Sequence, residues 1–479
     1  MKHMQDGSAA LGAFEAVSGP RQRTMPWGLV GLALAALSGS LGTGIVNVAL
    51  PSLASTFAAP FEAVQWLVIA YLLTSTAVVV AVGRIGDVFG ARRLLLAGIV
   101  LFVAASIACA LAPTLPLLIA ARAVQGIGGA VLMATTVALA RSVVAKERTG
   151  SAMGLLGTMS AIGTALGPSL GGALVTTFGW RAVFLANVPL VAIAFGLVVR
   201  HLPRDSERAA GPRERFDTTG TALLAAALAA FALATTWRGA GGSRVGLAAA
   251  ALALGVAFVV VEHRVASPLL PLSMLRERGL AGALFANTVV SAVMMATLVV
   301  GPFHLARALG LTPGEAGLVM SIGPLVSAVV GVPAGRLVDR VGARRVAILG
   351  LLGVAVGTAV FAGLAVRPTV SSYLAPLSLT TASYALFSAA NNTAVMADAT
   401  AGRRGVLSSL LSLSRNLGLM TGATLLGAVF AAACGTVDVA NAAPDVIAAA
   451  TRVTFAAASF VVALVAASAL VRGSRGARS

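Results

Sequence analysis

Two arginines of this sequence lie inside long apolar stretches, where a charged side chain is costly unless it faces a cavity or a partner. Arg122 stands within "LIAARAVQGIGGA" and Arg415 within "LSLSRNLGL". A guanidinium in such a place can serve a functional cavity, or it can bond to backbone carbonyls in a structural role. For both arginines the sequence leaves the functional and the structural interpretations open.

Neither arginine has an acidic partner within an apolar stretch. All 16 Asp and Glu residues fall near the ends of these stretches or between them. Glu315, Asp398 and His304 are the titratable groups that come nearest to such a role, because each lies close to the end of an apolar stretch.

The remaining reactive residue types form no catalytic or metal-binding pattern. The four histidines are scattered along the sequence, and the two cysteines are far apart. The only lysines, Lys2 and Lys146, do not end a phosphate-binding loop. We therefore expect neither an enzyme nor an ATP-driven pump, and no metal or cofactor.

The apolar stretches are long enough to cross a membrane. Hydrophobic residues make up 58% of the 479-residue chain and charged residues only 10%, whereas soluble domains carry about 25% charged residues. A crossing helix needs about 20 mostly apolar residues. By this criterion we predict fourteen spans, at residues 28–50, 66–83, 94–112, 117–140, 152–176, 181–200, 219–237, 245–262, 281–304, 315–335, 346–366, 373–396, 406–433 and 453–471.

The basic residues indicate how these spans are oriented. With an even number of spans both termini lie on one side, and 26 of the 34 Lys and Arg residues fall in the segments on that side. Because basic residues concentrate in cytoplasmic segments, both termini are expected in the cytoplasm. The basic residues lie in short gaps between apolar stretches, so the formal charge of +18 does not indicate a nucleic-acid partner.

One charged phrase occurs twice. "GRIGDVFGARR", Gly83–Arg93, returns 252 positions later as "GRLVDRVGARR", Gly335–Arg345. The copies follow spans 2 and 10, so spans 1–6 and 9–14 are predicted to be equivalent halves. In each copy we expect the glycine to allow close helix approach, the aspartate to meet a helix N-terminus or an arginine, and the arginine pair to hold the turn at the membrane surface.

Further motifs accompany the repeat. "GTALGPSLGG", Gly163–Gly172, repeats glycine at four-residue spacing in span 5, "NVALPSL" ends span 1, and "GWRAVFLANVP" joins spans 5 and 6. Together with the repeated phrase and the arginine-containing motif of span 4, they resemble the signatures of the major facilitator superfamily, in particular its fourteen-span drug:proton antiporter branch.

This resemblance implies an all-α membrane protein of the major facilitator fold, with two six-helix bundles, two inserted helices and fourteen transmembrane helices in all. The implied segments are a disordered cytoplasmic N-terminus at 1–27, an N-terminal bundle at 28–200, a cytoplasmic linker at 201–218, the inserted helices at 219–262, a second linker at 263–280, a C-terminal bundle at 281–471 and a cytoplasmic tail at 472–479.

The resemblance also implies a central cavity lined by spans 1, 2, 4, 5, 9, 10, 12 and 13. The residues that we expect to bind substrate or couple transport there are Arg122, Gln125, Asn47, Asn287, Met294, Tyr384, Asn391, Asn392, Arg415 and Asn416. For each uncharged polar residue, a structural hydrogen bond between helices is an equal interpretation. The residues expected to control the conformational change are Gly83, Asp87, Arg92, Arg93, Gly335, Asp339, Arg344, Arg345, Gly163, Gly167, Pro168 and Gly171.

The chain departs from the family pattern in span 1. The signature there reads approximately L-D-x-T-I-V-N-V-A-L-P, whereas this chain reads "LGTGIVNVALP", with Gly42 in place of the aspartate and Gly44 in place of the threonine. Helix rise places Gly42 and Arg122 at comparable depth in the bilayer. The protonatable partner that the family places near the span-4 arginine is therefore missing.

By resemblance, the protein exports lipophilic small molecules from a bacterial cell by alternating access, as in multidrug efflux and antibiotic resistance, in antiport with protons. An uncoupled uniporter and a ligand-sensing homologue that transports nothing remain alternatives, because of Gly42. Two arginines without a buried acid favour a neutral or anionic substrate. We expect a monomer in the inner membrane, with the lipid bilayer and possible protons as its other partners and with no nucleic acid.

Overall fold

The computed structural model describes residues 26–144, 149–203, 217–236, 241–265, 272–363, 369–397, 404–435, 439 and 442–476, and within these ranges the chain is helical and contains no strand. The side chains of Gly83, Arg84 and Asp87 are outside the description as well. The long helices of the described ranges are α1 (Trp27–Thr56), α2 (Phe61–Phe89), α3 (Ala91–Leu111), α4 (Leu115–Val143), α5 (Thr149–Phe178), α6 (Arg181–His201), α7 (Thr218–Thr236), α8 (Gly241–Arg264), α9 (Arg278–Ala308), α10 (Pro313–Val341), α11 (Ala343–Ala362), α12 (Val370–Met396), α13 (Val406–Cys434) and α14 (Pro444–Gly476).

Thirteen of these helices are both long and apolar enough to cross a membrane. The exception is α12, which has 27 residues but carries many Ser, Thr and Asn side chains along its length. It packs along α10 and α11, and the hydroxyls of Thr381 and Thr393 donate to carbonyls of α12 itself. The protein is a multi-pass membrane protein, and the prediction of an all-α fold is confirmed.

Several helices extend beyond the predicted bounds. α2 begins at Phe61 instead of residue 66, and α14 runs over Pro444–Gly476 instead of 453–471. The predicted linkers and tail are correspondingly shorter, because α6 continues to His201 and α8 to Arg264. Counting apolar residues detects only the hydrocarbon depth, whereas backbone hydrogen bonding continues into the interfacial layer. Residues 1–25, the bulk of the predicted disordered N-terminus, lie outside the described residues.

The two halves repeat the same packing. In α1–α6 the extensive contacts are α1 with α5 and α6, α2 with α4, and α3 with α4 and α6. In α9–α14 the same pairs recur eight helices later, namely α9 with α13 and α14, α10 with α12, and α11 with α12 and α14. The duplication read from the repeated phrase is therefore also a duplication of helix packing.

The repeated phrases form turns of equal geometry. Gly90 between α2 and α3 has φ 93° and ψ 128°, and Gly342 between α10 and α11 has φ 92° and ψ 141°. Residues with a side chain rarely adopt such a positive φ, which explains why glycine stands at both positions. Helix direction places both turns at the same end of the bundle, here named the repeat end. The opposite end is named the far end.

Helices α7 and α8 form an inserted hairpin beside the seam between the halves. Trp66 of α2 donates its indole N–H to the Thr236 hydroxyl of α7 at 3.1 Å. Leu224 of α7 and Phe258 of α8 belong to an apolar cluster with α9 and α13. The hairpin thus contacts one helix of the first half and two of the second.

Candidate functional site

At the far end, α5 and α10 pack against each other across the two halves. A Cβ added at Gly317 of α10 would collide with the carbonyl oxygen of Pro168 and lie 3.1 Å from the Cα of Gly172, both in α5. A Cβ added at Gly172 would in turn collide with the carbonyl of Pro313. The backbones approach this closely only because glycine stands on both sides.

Two hydrogen bonds reinforce this contact. The backbone N–H of Ser169 donates to the Ser321 hydroxyl at 2.9 Å, and the backbone N–H of Gly314 donates to the Thr176 hydroxyl at 3.0 Å. Gly314 is in the first turn of α10, where backbone N–H groups have no partner within the helix. A side chain of the first half satisfies that N–H, which ties the start of α10 to the end of α5.

The second seam at the far end joins α2 to α13. The Gln65 side-chain amide donates to the carbonyl of Ala423, and a Cβ added at Gly427 would collide with the same side chain. Beside it, the rings of Phe61, Phe303 and Phe430 pack with centroids 5.0–6.5 Å apart. These three rings come from α2, α9 and α13, so they also cross between the halves.

Toward the repeat end, the glycines of α5 and α10 show no such contact. An added Cβ at Gly157 of α5 or at Gly331 of α10 would meet no described atom within 4 Å. An added Cβ at Gly335 likewise meets no described atom within 4 Å, so the described residues show no close helix approach at this glycine. Among the described residues, close contacts between the backbones of α5 and α10 are therefore found at the far end and not at these repeat-end glycines.

Arg122 is enclosed within the first half. Its side chain is 1% exposed; Nε donates to the Leu67 carbonyl at 3.0 Å, and Nη1 donates to the Gly42 carbonyl at 3.4 Å and to Gln125 Oε1 at 2.5 Å. The guanidinium also lies 4.4 Å from the centroid of the Tyr71 ring. These contacts join α1, α2 and α4, which is the structural interpretation of this residue.

Gln125 continues the network to α3. Its Nε2 donates to the Ser106 hydroxyl at 2.7 Å, and that hydroxyl donates to the Phe102 carbonyl at 2.7 Å. No carboxylate of the described residues lies within ion-pair distance of Arg122. Gly42 lies at the level of Arg122, as predicted. The group that Gly42 offers to the guanidinium is its backbone carbonyl.

Arg415 differs from Arg122 in its exposure and in its hydrogen bonds. It lies in the N-terminal part of helix α13. Its side chain is exposed and makes no hydrogen bond or ion pair with the described part of the chain. Asn416 beside it is half-buried. Of the two arginines singled out by the sequence, the structure leaves only Arg415 available to a ligand.

The other expected binding residues divide between helix contacts and open surface. Asn287 of α9 donates to the Leu411 carbonyl at 3.1 Å and to the Ser414 hydroxyl at 2.8 Å, so it bonds α9 to α13. Tyr384 is half-buried and packs against the apolar cluster of the second half. Asn391 is buried with its Nδ2 unpaired, whereas Asn392 is exposed.

Asn47 and Met294 lie near the contact between the halves. Asn47 is fully buried in a single 3-10 turn of α1 that touches α5, α9 and α10, and its Nδ2 donates to the Thr43 carbonyl at 3.4 Å. Its Oδ1 has no hydrogen-bond partner among the described residues. Met294 of α9 is half-buried.

The glycines of α5 pack within the first half. Added Cβ atoms would lie 3.2 Å from the Leu41 nitrogen at Gly163 and 3.2 Å from the Ile45 nitrogen at Gly167, and the one at Gly171 would meet the Ile45 carbonyl. These three glycines therefore let α5 lie directly on α1. The neighbouring face, with Pro168, meets α10.

The charged residues of the two turns make unequal contacts. Arg92 Nη2 donates to the Val199 carbonyl of α6 at 2.8 Å. Asp339 is exposed and has no hydrogen bond or ion pair within the described chain, so the expected latch is not formed there in this conformation. Arg93, Arg344 and Arg345 are exposed. Asp87 and Gly83 belong to the side chains outside the description.

Sequence reasoning missed three contacts of the far end. Hydrogen bonds between the halves are formed by Gln65, Ser321 and Thr176. In the sequence each of them is a single polar residue in an apolar stretch, and nothing nearby indicates a partner. His304 was considered only as a titratable group near a membrane surface. It is fully buried, bonds to the Thr451 hydroxyl at 3.1 Å and stacks on the Tyr373 ring.

The profile of the Major Facilitator Superfamily matches the chain twice, over residues 32–304 and 283–478. The chain belongs to the major facilitator superfamily. Members of this superfamily are transporters rather than enzymes. The first match runs from α1 into α9, and the second covers α9 to α14.

Relatives of this major facilitator protein include named efflux proteins. It is 30% identical over 421 residues to the multidrug efflux pump LfrA of Mycolicibacterium smegmatis, which covers 86% of this chain and 82% of the relative. It is 32% identical over 399 residues to the multidrug resistance protein Stp of Mycobacterium tuberculosis, covering 81% and 72%. The riboflavin transporter RibZ of Clostridioides difficile is 28% identical over 405 residues, covering 84% and 86%.

Solved structures show the same fold at low identity. A peptide transporter POT in complex with sulfate matches with a TM-score of 0.71 at 16% identity, over 94% of both chains. A bacterial homologue of the human lysosomal transporter Spinster, in an inward-facing and unoccupied conformation, matches with a TM-score of 0.67 at 17% identity, over 95% of this chain and 97% of the other.

Proposed function

We propose that this superfamily member is a secondary transporter that exports lipophilic small molecules from a bacterial cell by alternating access. Its repeat end and both termini would lie in the cytoplasm, since most basic residues fall on that side. The conformation described above would then be the one that receives substrate from the cell interior or the inner leaflet of the bilayer.

The observation that carries the proposal is the asymmetry between the two ends. Glycine-to-backbone contacts and hydrogen bonds join α5 and α10 at the far end, whereas Gly157 and Gly331 nearer the repeat end have no described neighbour within 4 Å of an added Cβ. Because the two halves have the same internal packing, rocking one half against the other exchanges the closed and open ends without rebuilding either half.

The names of the relatives support the direction and the substrate class. Proteins called multidrug efflux pump and multidrug resistance protein match most of the chain. The cavity wall adds an expectation about charge, because the exposed Arg415 disfavours a cationic substrate. Neutral or anionic lipophilic molecules are therefore the proposed cargo, and preferential transport of a cationic dye such as ethidium would contradict it.

Proton antiport is the proposed source of energy, with Gly42 as the departure that has to be explained. Arg122 Nη1 already reaches the Gly42 carbonyl at 3.4 Å, and a side chain at this position would start 3.0 Å from the Phe102 ring. Without a carboxylate there, a coupling group has to come from elsewhere, and an uncoupled uniporter is the alternative on the same scaffold.

Purified protein in liposomes tests the proposal. Substrate-driven pH change is to be measured for wild type, Arg122→Ala and Gly42→Asp. We expect wild type to move substrate and protons in opposite directions. Substrate movement without a pH change, with proton flux gained only in Gly42→Asp, would identify a uniporter. Binding without movement in all three proteins would identify a sensor.

A further inference from the structure

We propose that Arg415 of α13 binds a negatively charged group of the transported molecule, so that the preferred substrates are lipophilic anions. This inference rests on the proposed transport function and assigns its substrate class. It starts from the contrast between the two arginines within spans, of which Arg122 is saturated with protein partners and Arg415 has none within the described residues.

One side of α13 packs against α9. Asn287 of α9 donates to the Ser414 hydroxyl at 2.8 Å, and an added Cβ at Gly418 would meet the Thr288 carbonyl. These residues of α13 recur at four-residue spacing and therefore lie on one face. That face is occupied along its length.

Another side of α13 packs against the inserted hairpin. Leu410 and Leu413 share an apolar cluster with Leu224 of α7 and Phe258 of α8. Leu413 is two positions before Arg415, and at about 100° per residue it points roughly away from it. The hairpin consequently separates α13 from lipid on the side opposite Arg415.

A third side of α13 meets α2 near the far end, where Gln65 bonds to the Ala423 carbonyl. The remaining sector, between the directions of α9 and α2, carries Ser408, Ser412 and Arg415, all exposed. With α9 and α2 on its flanks and the hairpin behind it, this sector faces the cavity between the halves. A cavity wall also accounts for the presence of a charge at this depth, because an arginine facing hydrocarbon is costly.

The chemistry of this sector suits an anion. The guanidinium presents several N–H donors in a planar fork that matches a carboxylate, sulfonate or phosphate. The Ser412 hydroxyl one turn away can add a further donor. Arg415 lies nine residues into α13, which is about 14 Å from the repeat end at 1.5 Å per residue. Headgroups of the bilayer lie at the helix ends, so the anion at this depth is cargo.

The test compares two probes that differ by one charged group. They are 8-anilinonaphthalene-1-sulfonate and its uncharged analogue N-phenyl-1-naphthylamine, each measured for transport in proteoliposomes and for binding to the purified protein. Wild type is compared with Arg415→Gln and Arg415→Lys. Arg452→Gln, which removes a half-buried arginine of α14, a helix that is not among those expected to line the cavity, is the matched control.

We expect Arg415→Gln to reduce transport and binding of the sulfonate about tenfold or more, because charge-assisted hydrogen bonds are lost. Transport and binding of the neutral analogue should stay within about twofold of wild type. Arg415→Lys should restore part of the sulfonate affinity, and Arg452→Gln should behave as wild type. Equal losses for both probes, or no loss for the sulfonate, would overturn the inference.

The two arms separate this inference from the transport proposal. If wild type transports neither probe, the export proposal is contradicted. The binding measurement on the purified protein would still decide the role of Arg415. Sulfonate binding that depends on Arg415 supports the anion site in that case. Sulfonate binding that does not depend on it removes the site.

Discussion

The side chain of Gln65 in α2 donates a hydrogen bond to the backbone carbonyl of Ala423 in α13, across the seam between the two halves. Ala423 lies in a π-helical turn, Gly422–Leu426. A π turn changes the regular i to i−4 pairing and is frequent at functional positions. The closed far end thus depends on a side chain of one half and an irregular turn of the other.

Removing this bond should weaken the closure. Gln65→Met keeps the size of the side chain but has no amide donor, and a typical hydrogen bond contributes about 0.5–1.5 kcal/mol. We expect the equilibrium to shift about 2- to 12-fold toward an open far end. A cysteine introduced at Ser52, which lines a far-end pocket, should then react faster with a membrane-impermeant maleimide.

The control is Trp66→Phe, which loses only its bond to the hairpin. Equal labelling in all variants would contradict this role of Gln65.

The contact between α5 and α10 should not tolerate a side chain at Gly317. Its added Cβ would collide with the Pro168 carbonyl, so Gly317→Val is expected to hold the far end apart. Transport should fall at least about tenfold while the protein still folds, because the collision occurs only between the halves. Gly246→Val in α8, where an added Cβ meets nothing within 4 Å, should transport normally. Normal transport by Gly317→Val would show that this contact does not close the pathway.

The repeated turns should respond alike to the same substitution. Gly90→Ala and Gly342→Ala place a Cβ at φ 93° and 92°, which costs about 1–3 kcal/mol of backbone strain at each position. We expect both to lower the thermal unfolding temperature by similar amounts in detergent. Gly86→Ala, whose Cβ would lie 3.6 Å from Leu94 Cδ2 in ordinary contact, should have little effect. A large difference between the two turns would be evidence against their equivalence.

The two arginines within spans should differ in their contribution to stability. Arg122→Met removes the buried donor that Gln125 Oε1 and the Leu67 and Gly42 carbonyls share, and leaving Gln125 Oε1 unsatisfied costs about 1–3 kcal/mol. Arg415→Met removes an exposed side chain that has no protein partner in the described residues. Thermal unfolding of the two variants checks the order. An unfolding temperature that falls as far for Arg415→Met as for Arg122→Met would contradict the assignment of roles.

Much of the fold could be predicted from the sequence because span length and charge distribution are local properties. The apolar stretches predict the helices, and the two copies of the phrase at Gly83 and Gly335 predict the duplication. Helix ends were less accurate, since α2 and α14 continue past their apolar parts. The contact pairs repeated eight helices apart followed from the duplication once it was recognised.

Less of the candidate site could be predicted. Arg122 and Arg415 look alike in the sequence, as single arginines in apolar stretches, and both interpretations were open for each. The difference arises from neighbours on other helices: Leu67 and Gly42 supply carbonyls to Arg122, whereas the helices around α13 leave the side of Arg415 free. Gln65 gave no local signal, because its partner lies 358 residues away.

By itself the sequence determined that this protein is a membrane-spanning helical bundle built from two related halves, because hydrophobicity, helix length and internal repetition are written along the chain. Only the tertiary structure decided which end is closed, which arginine is enclosed and where the inserted hairpin lies. Those properties depend on which helix faces meet, and in a bundle of similar apolar helices the choice is made by packing between residues hundreds of positions apart.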